Sequence, residues 1–156
     1  MKLYISYFLT SFFISWMIIF LHGISAGYST YVPIIGLLGS LILFIVATPI
    51  LVYYPKIGLY IGLFSCLLIL PFTAVVVKGT FDDYKFNLGL LLLVPSLLLL
   101  ISLYFTIKYL TNKDLILRGL PESSALKVIL SGIPILIFVI YMFETWEFWS
   151  WEIFNL

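Results

Sequence analysis

Apolar residues fill five stretches of the chain almost without interruption, and polar residues collect in the short gaps between them. A membrane-crossing helix needs about 20 mostly apolar residues, because a hydrocarbon core of about 30 Å is traversed at about 1.5 Å per residue. Residues 3–21, 33–54, 57–77, 87–109 and 124–143 meet that length. In the first stretch, eleven Leu, Ile and Phe residues at roughly −0.3 to −0.6 kcal/mol each contribute about −5 kcal/mol towards insertion. The second opens with Thr30 as a candidate cap and Pro33 in the first turn, where a missing N–H costs nothing. Only Tyr53-Tyr54-Pro55-Lys56 separates it from the third, so these two helices are expected to form an antiparallel hairpin.

The pattern changes after residue 143. Trp146, Trp149 and Trp151 crowd into a tail of thirteen residues that also holds Phe148 and Phe154. At helical spacing Trp146, Trp149, Ile153 and Leu156 share a face while Glu144, Glu152 and Asn155 point away, which suits a helix lying among lipid headgroups. Trp146, Trp149, Trp151 and Ile153 are the expected interfacial anchor. The fold expected is all-α: a polytopic membrane protein forming one transmembrane domain over residues 1–156, with a five-helix bundle and a C-terminal interfacial aromatic helix. Residues 1–26 also resemble a secretory signal, but the apolar run exceeds the usual span of about 7–15 residues and Ile24 occupies a position that wants a small side chain. The expectation is therefore a retained helix.

Composition agrees with the pattern. Hydrophobic residues make up 63% and charged residues 10%, against about 45–50% and about 25% in soluble domains. The excess of apolar surface needs lipid or partner subunits to cover it. A net charge of +1 offers no cationic surface for nucleic acid. With the N-terminus in the cytoplasm, Lys2, Lys56, Lys108, Lys113, Arg118 and Lys127 fall inside and only Lys78 and Lys85 outside. That bias predicts a multi-pass protein of the plasma (inner) membrane with a cytoplasmic N-terminus and an extracytoplasmic C-terminus. The loops, of roughly eleven, nine and fourteen residues, are too short to fold alone. In the last, residues 114–119 could form one helical turn or remain irregular.

Candidate chemistry is sparse. No Asp, Glu, Lys, Arg or His stands near the middle of any stretch, which argues against proton pumps, carboxylate-coupled antiporters and voltage sensors. The single cysteine, Cys66, forms no intrachain disulfide, and the single histidine, His22, forms no multi-histidine metal site. No cofactor or metal is expected. Weak candidates for chemistry on the outer face are His22, Asp82, Asp83, Glu144 and Glu147, where paired acids could hold a metal or transfer protons. Their bland reading is solvated charge at the water boundary.

Small residues point to packing. Gly58, Gly62 and Cys66 recur at every fourth position of the third stretch, and Gly36 and Ser40 are four apart in the second, so close backbone approach is expected between these helices or against a partner. Four stretches contain an internal proline, Pro49, Pro71, Pro95 and Pro134, each of which removes a helical hydrogen bond. Thr48, Thr73, Ser96 and Ser131 stand close enough to compensate. Residues 35–41 and 61–67 share a faint likeness; neighbouring spans run in opposite directions, so a true repeat would be inverted, and in sequence this apolar coincidence is the expected source.

Together these features predict a non-catalytic accessory or structural subunit of a larger membrane complex, or one protomer of a homo-oligomer. Its partners would be membrane lipid and other membrane subunits or copies of itself. Two alternatives belong to other classes: a small transporter or pore for an apolar or neutral solute, and a membrane-surface enzyme working on the outer face.

Overall fold

The computed structural model describes residues 2–22, 34–82, 86–112, 123–147 and 150, and the regular elements among them are all α-helices. They are α1 (Lys2–His22), α2 (Ile34–Tyr53), α3 (Pro55–Asp82), α4 (Phe86–Thr111) and α5 (Ser124–Glu144). Residues 55–79, 90–111 and 124–144 of α3, α4 and α5 are long and apolar enough to cross a membrane. The apolar part of α2 so identified, Leu38–Tyr53, is shorter. The expected cap at Thr30 and Pro33, the turn at 114–119 and most of the aromatic tail lie outside the described residues.

The α2–α3 hairpin is tighter than the four-residue turn expected from sequence. Tyr54 alone separates the helices: its N–H donates to the Ile50 carbonyl at 2.7 Å, closing α2, and its carbonyl accepts from Gly58 N–H at 3.0 Å, opening α3. Pro55 is the first residue of α3, a position whose N–H has no helical acceptor anyway. At its other end α3 continues past Val77 to Asp82. Hydropathy ends with the apolar side chains, whereas the backbone hydrogen-bond ladder continues through Lys78-Gly79-Thr80.

Helix packing forms a closed ring: α1 against α2, α2 against α3, α3 against α4, and α4 back against α1. The fifth helix leans on α2 from outside this ring. Buried side chains at the centre include Tyr7 and Ile14 of α1, Phe44 of α2, Leu59 and Ile69 of α3, and Leu99 of α4. Much of α3, α4 and α5 faces outward with large apolar side chains, among them Tyr60, Phe64, Leu91, Leu97, Leu136 and Val139. In water such a surface would be a severe liability; in hydrocarbon it is the ordinary exterior.

Candidate functional site

The most polar part of the interior is a seam of hydroxyls between α1 and α4. Tyr7, fully buried, touches each of the other three ring helices. Its ring lies 4.9 Å from that of Phe44 in α2, its tip is packed at Gly62 in α3, and its hydroxyl is 2.6 Å from Thr106 Oγ1 in α4. Thr106 Oγ1 donates to the Ser102 carbonyl at 2.6 Å, which leaves Tyr7 as the donor to Thr106. One turn further along, Thr10 Oγ1 donates to the Leu98 carbonyl at 3.1 Å, so the 2.8 Å bond between Thr10 and Ser102 runs from Ser102 Oγ to Thr10 Oγ1. Every proton in this seam therefore has an acceptor within it. The pairs Tyr7–Thr106 and Thr10–Ser102 also make α1 and α4 antiparallel, since the partner number falls as the first rises.

Two prolines are compensated by hydroxyls. Pro49 cannot donate to the Ile45 carbonyl, and Thr48 Oγ1 takes its place at 2.5 Å. Pro134 cannot donate to the Leu130 carbonyl, and the Tyr4 hydroxyl of α1 donates to it from across the bundle. The expected nearby hydroxyls of Thr73, Ser96 and Ser131 instead donate to other carbonyls: Leu70 at 2.9 Å, Leu92 at 3.0 Å, and Lys127 and Val128 at 2.9 and 3.0 Å. Ser65, beside Cys66 and fully buried, is the single described buried side-chain polar group without a hydrogen-bond partner. Among the described residues the buried polar side chains of Ser and Thr are joined by no charged group.

A second feature is an apolar cleft of about 330 Å³ between α1 and α5, walled by Phe8, Phe12, Trp16, Ile137, Phe138 and Ile140, with Pro134 at one end and Glu144 and Thr145 at the other. Tyr4 to Leu130 marks one contact between these helices; the Tyr141 hydroxyl, donating to the Ser15 carbonyl at 3.4 Å, marks another eleven residues on in both helices. The constant offset makes α1 and α5 parallel.

The residues singled out from the sequence are distributed as follows. Gly58 lies against α2, where an added methyl would sit 2.6 Å from the Leu51 backbone. Gly62 faces Tyr7 of α1, and Cys66 and Ser40 are fully or almost fully buried. Gly36 lies in α2, with its surroundings outside the described residues. Trp146 is exposed, while Trp149, Trp151 and Ile153 are not described. Of the outer-face candidates, Glu144 and Glu147 are exposed near the end of α5; His22 and Asp82 end their helices with undescribed side chains, and Asp83 is not described. Among the described residues no three His, Cys, Asp or Glu side chains come together as a metal site.

Sequence reasoning overlooked Tyr4, Tyr7, Thr10, Ser102 and Thr106. The signal was present: hydroxyls at positions 4, 7 and 10 of one apolar helix, and at 102 and 106 of another, each mark one helical face, and polar faces in membrane helices turn towards other helices. Comparison with known protein families, curated proteins and solved structures finds no significant match.

Proposed function

We propose that this chain is a five-span protein of the plasma membrane, with its N-terminus cytoplasmic and C-terminus extracytoplasmic, serving as a non-catalytic subunit of a larger membrane assembly or homo-oligomer. The observation that carries this reading is the contrast between interior and exterior. Inside, the hydroxyl seam closes upon itself and so acts as a fastener between helices, with no spare donor among Tyr7, Thr10, Ser102 and Thr106. Outside, α3, α4 and α5 present continuous apolar faces that lipid or another membrane helix must cover. The antiparallel α1–α4 pairing, the α2–α3 hairpin and the parallel α1–α5 pairing support alternate crossings from a common side. The six-to-two lysine and arginine bias supports the orientation.

The test is extraction of the tagged full chain with surrounding lipid by a styrene–maleic acid copolymer, followed by native mass spectrometry. A stoichiometric partner or a defined oligomer is the expected result. A monomer that alone moves a neutral solute across proteoliposomes, or alone turns over a substrate, would overturn the reading.

A further inference from the structure

The cleft between α1 and α5 has a definite chemistry along its length. Its hydroxyls already have acceptors: Ser11 and Ser15 donate to the Phe8 and Phe12 carbonyls at 2.9 and 2.7 Å, Tyr141 to the Ser15 carbonyl at 3.4 Å, and Thr145 to the Tyr141 carbonyl at 2.6 Å. What faces the occupant is aromatic and aliphatic, with Phe12, Trp16 and Ile140 also exposed at its rim. The cleft therefore opens sideways to whatever surrounds the helices. Its one charged wall residue is Glu144, exposed at the end of α5, with exposed Glu147 one turn beyond.

Length then selects the occupant. Pro134 is the midpoint of the 21-residue α5 and Glu144 is its last residue, so the groove beside them covers about 15 Å at about 1.5 Å per residue. That is half of a hydrocarbon core of about 30 Å, the depth of one leaflet. We propose that this cleft binds one acyl chain of an aminophospholipid, with the chain running from Glu144 towards Pro134 and the ammonium headgroup held at the Glu144 carboxylate. An anionic headgroup would meet that carboxylate as a like charge, and a wall without spare donors favours hydrocarbon over any polar ligand. The site rests on the membrane reading given above.

The experiment uses the full chain in vesicles of phosphatidylcholine doped with a phosphatidylethanolamine that carries a photoreactive diazirine midway along one acyl chain. After illumination, adducts are mapped by peptide mass spectrometry. Adducts should concentrate on Phe8, Phe12, Ile137 and Ile140 over Tyr60 and Phe64 of the outward α3 face. Ile137→Trp, which fills the cleft, should bring them down to the α3 level; Ile140→Trp at the exposed rim does the same without burdening the interior. Glu144→Gln should reduce the preference for the ethanolamine probe over a matching phosphatidylglycerol probe by about two- to five-fold. Labelling spread evenly over α3 and α5, or a cleft left unlabelled because a protein helix occupies it, would overturn the lipid site alone. A chain that never enters the vesicles would sink the membrane reading along with it.

Discussion

Helices α1 and α5 have the same length, 21 residues each, yet the bundle treats them oppositely. The first carries more Ser, Thr and Tyr and is the one drawn into the centre, burying Tyr4, Tyr7, Thr10, Ser11 and Ser15. The second is almost wholly aliphatic and aromatic and buries only Leu130 and Pro134. In water the order would be reversed, because burial there follows apolar area. In hydrocarbon an aliphatic face gains little by leaving lipid, while an unpaired hydroxyl or carbonyl is costly to leave exposed, so hydroxyl-bearing faces inside and the oilier helix at the rim are the arrangement that lipid surroundings favour.

The strongest challenge to this contrast is at Gly62, where any side chain meets the buried Tyr7 ring, itself hydrogen-bonded to Thr106. Gly62→Ile should destabilise the bundle by about 3 kcal/mol through overpacking, read as thermal unfolding in detergent or bicelles; wild-type stability would show that α1 is not centred there. Next comes Tyr4→Phe, which leaves the Leu130 carbonyl without the hydroxyl that replaces the missing Pro134 N–H. A loss of about 1–2 kcal/mol is expected, and Pro134→Ala in the same background should restore much of it by returning the helical donor. Rescue would separate the compensation from general packing damage.

A double-mutant cycle of Tyr7→Phe with Thr106→Val should give a coupling of about 0.6–1.7 kcal/mol, between the average and the largest values typical of such cycles on interhelical hydrogen bonds in membranes. No coupling would mean the α1–α4 seam is not a fastener. The smallest effect belongs to α5. Leu136→Ala, on its outward face, should change the stability of the isolated chain by less than about 0.5 kcal/mol. Loss of a co-purifying partner in that same variant would sharpen the comparison, since it would identify the α5 exterior as a subunit contact.

Most helix boundaries were legible because an unbroken apolar run marks where a helix can lie between polar turns, and the structured ranges differ from those runs mainly at α3. There the apolar signal stops at Val77 and the helix at Asp82, since side-chain hydropathy carries no information about how far a backbone ladder continues into polar surroundings. The glycine at position 58 could be read as a close-approach site, but not which backbone approaches: Leu51 lies against it because Tyr54 alone makes the turn. Thr48 as the relief for Pro49 was within reach of sequence, being a contact inside one helix. Tyr4 as the relief for Pro134 was not.

Residue order alone establishes that the chain has more apolar surface than it can hide, where its helices run, and that hydroxyls are the polar groups available in their interiors. Only the assembled bundle decides which hydroxyl meets which carbonyl, which glycine receives the Tyr7 ring, and that a cleft remains between α1 and α5. The division has a physical cause. Transfer from water to hydrocarbon is a sum over neighbouring residues and can be added along the chain, whereas the Tyr4–Leu130, Tyr7–Thr106 and Tyr141–Ser15 contacts join residues about a hundred positions apart. They exist only once the helices have chosen their neighbours.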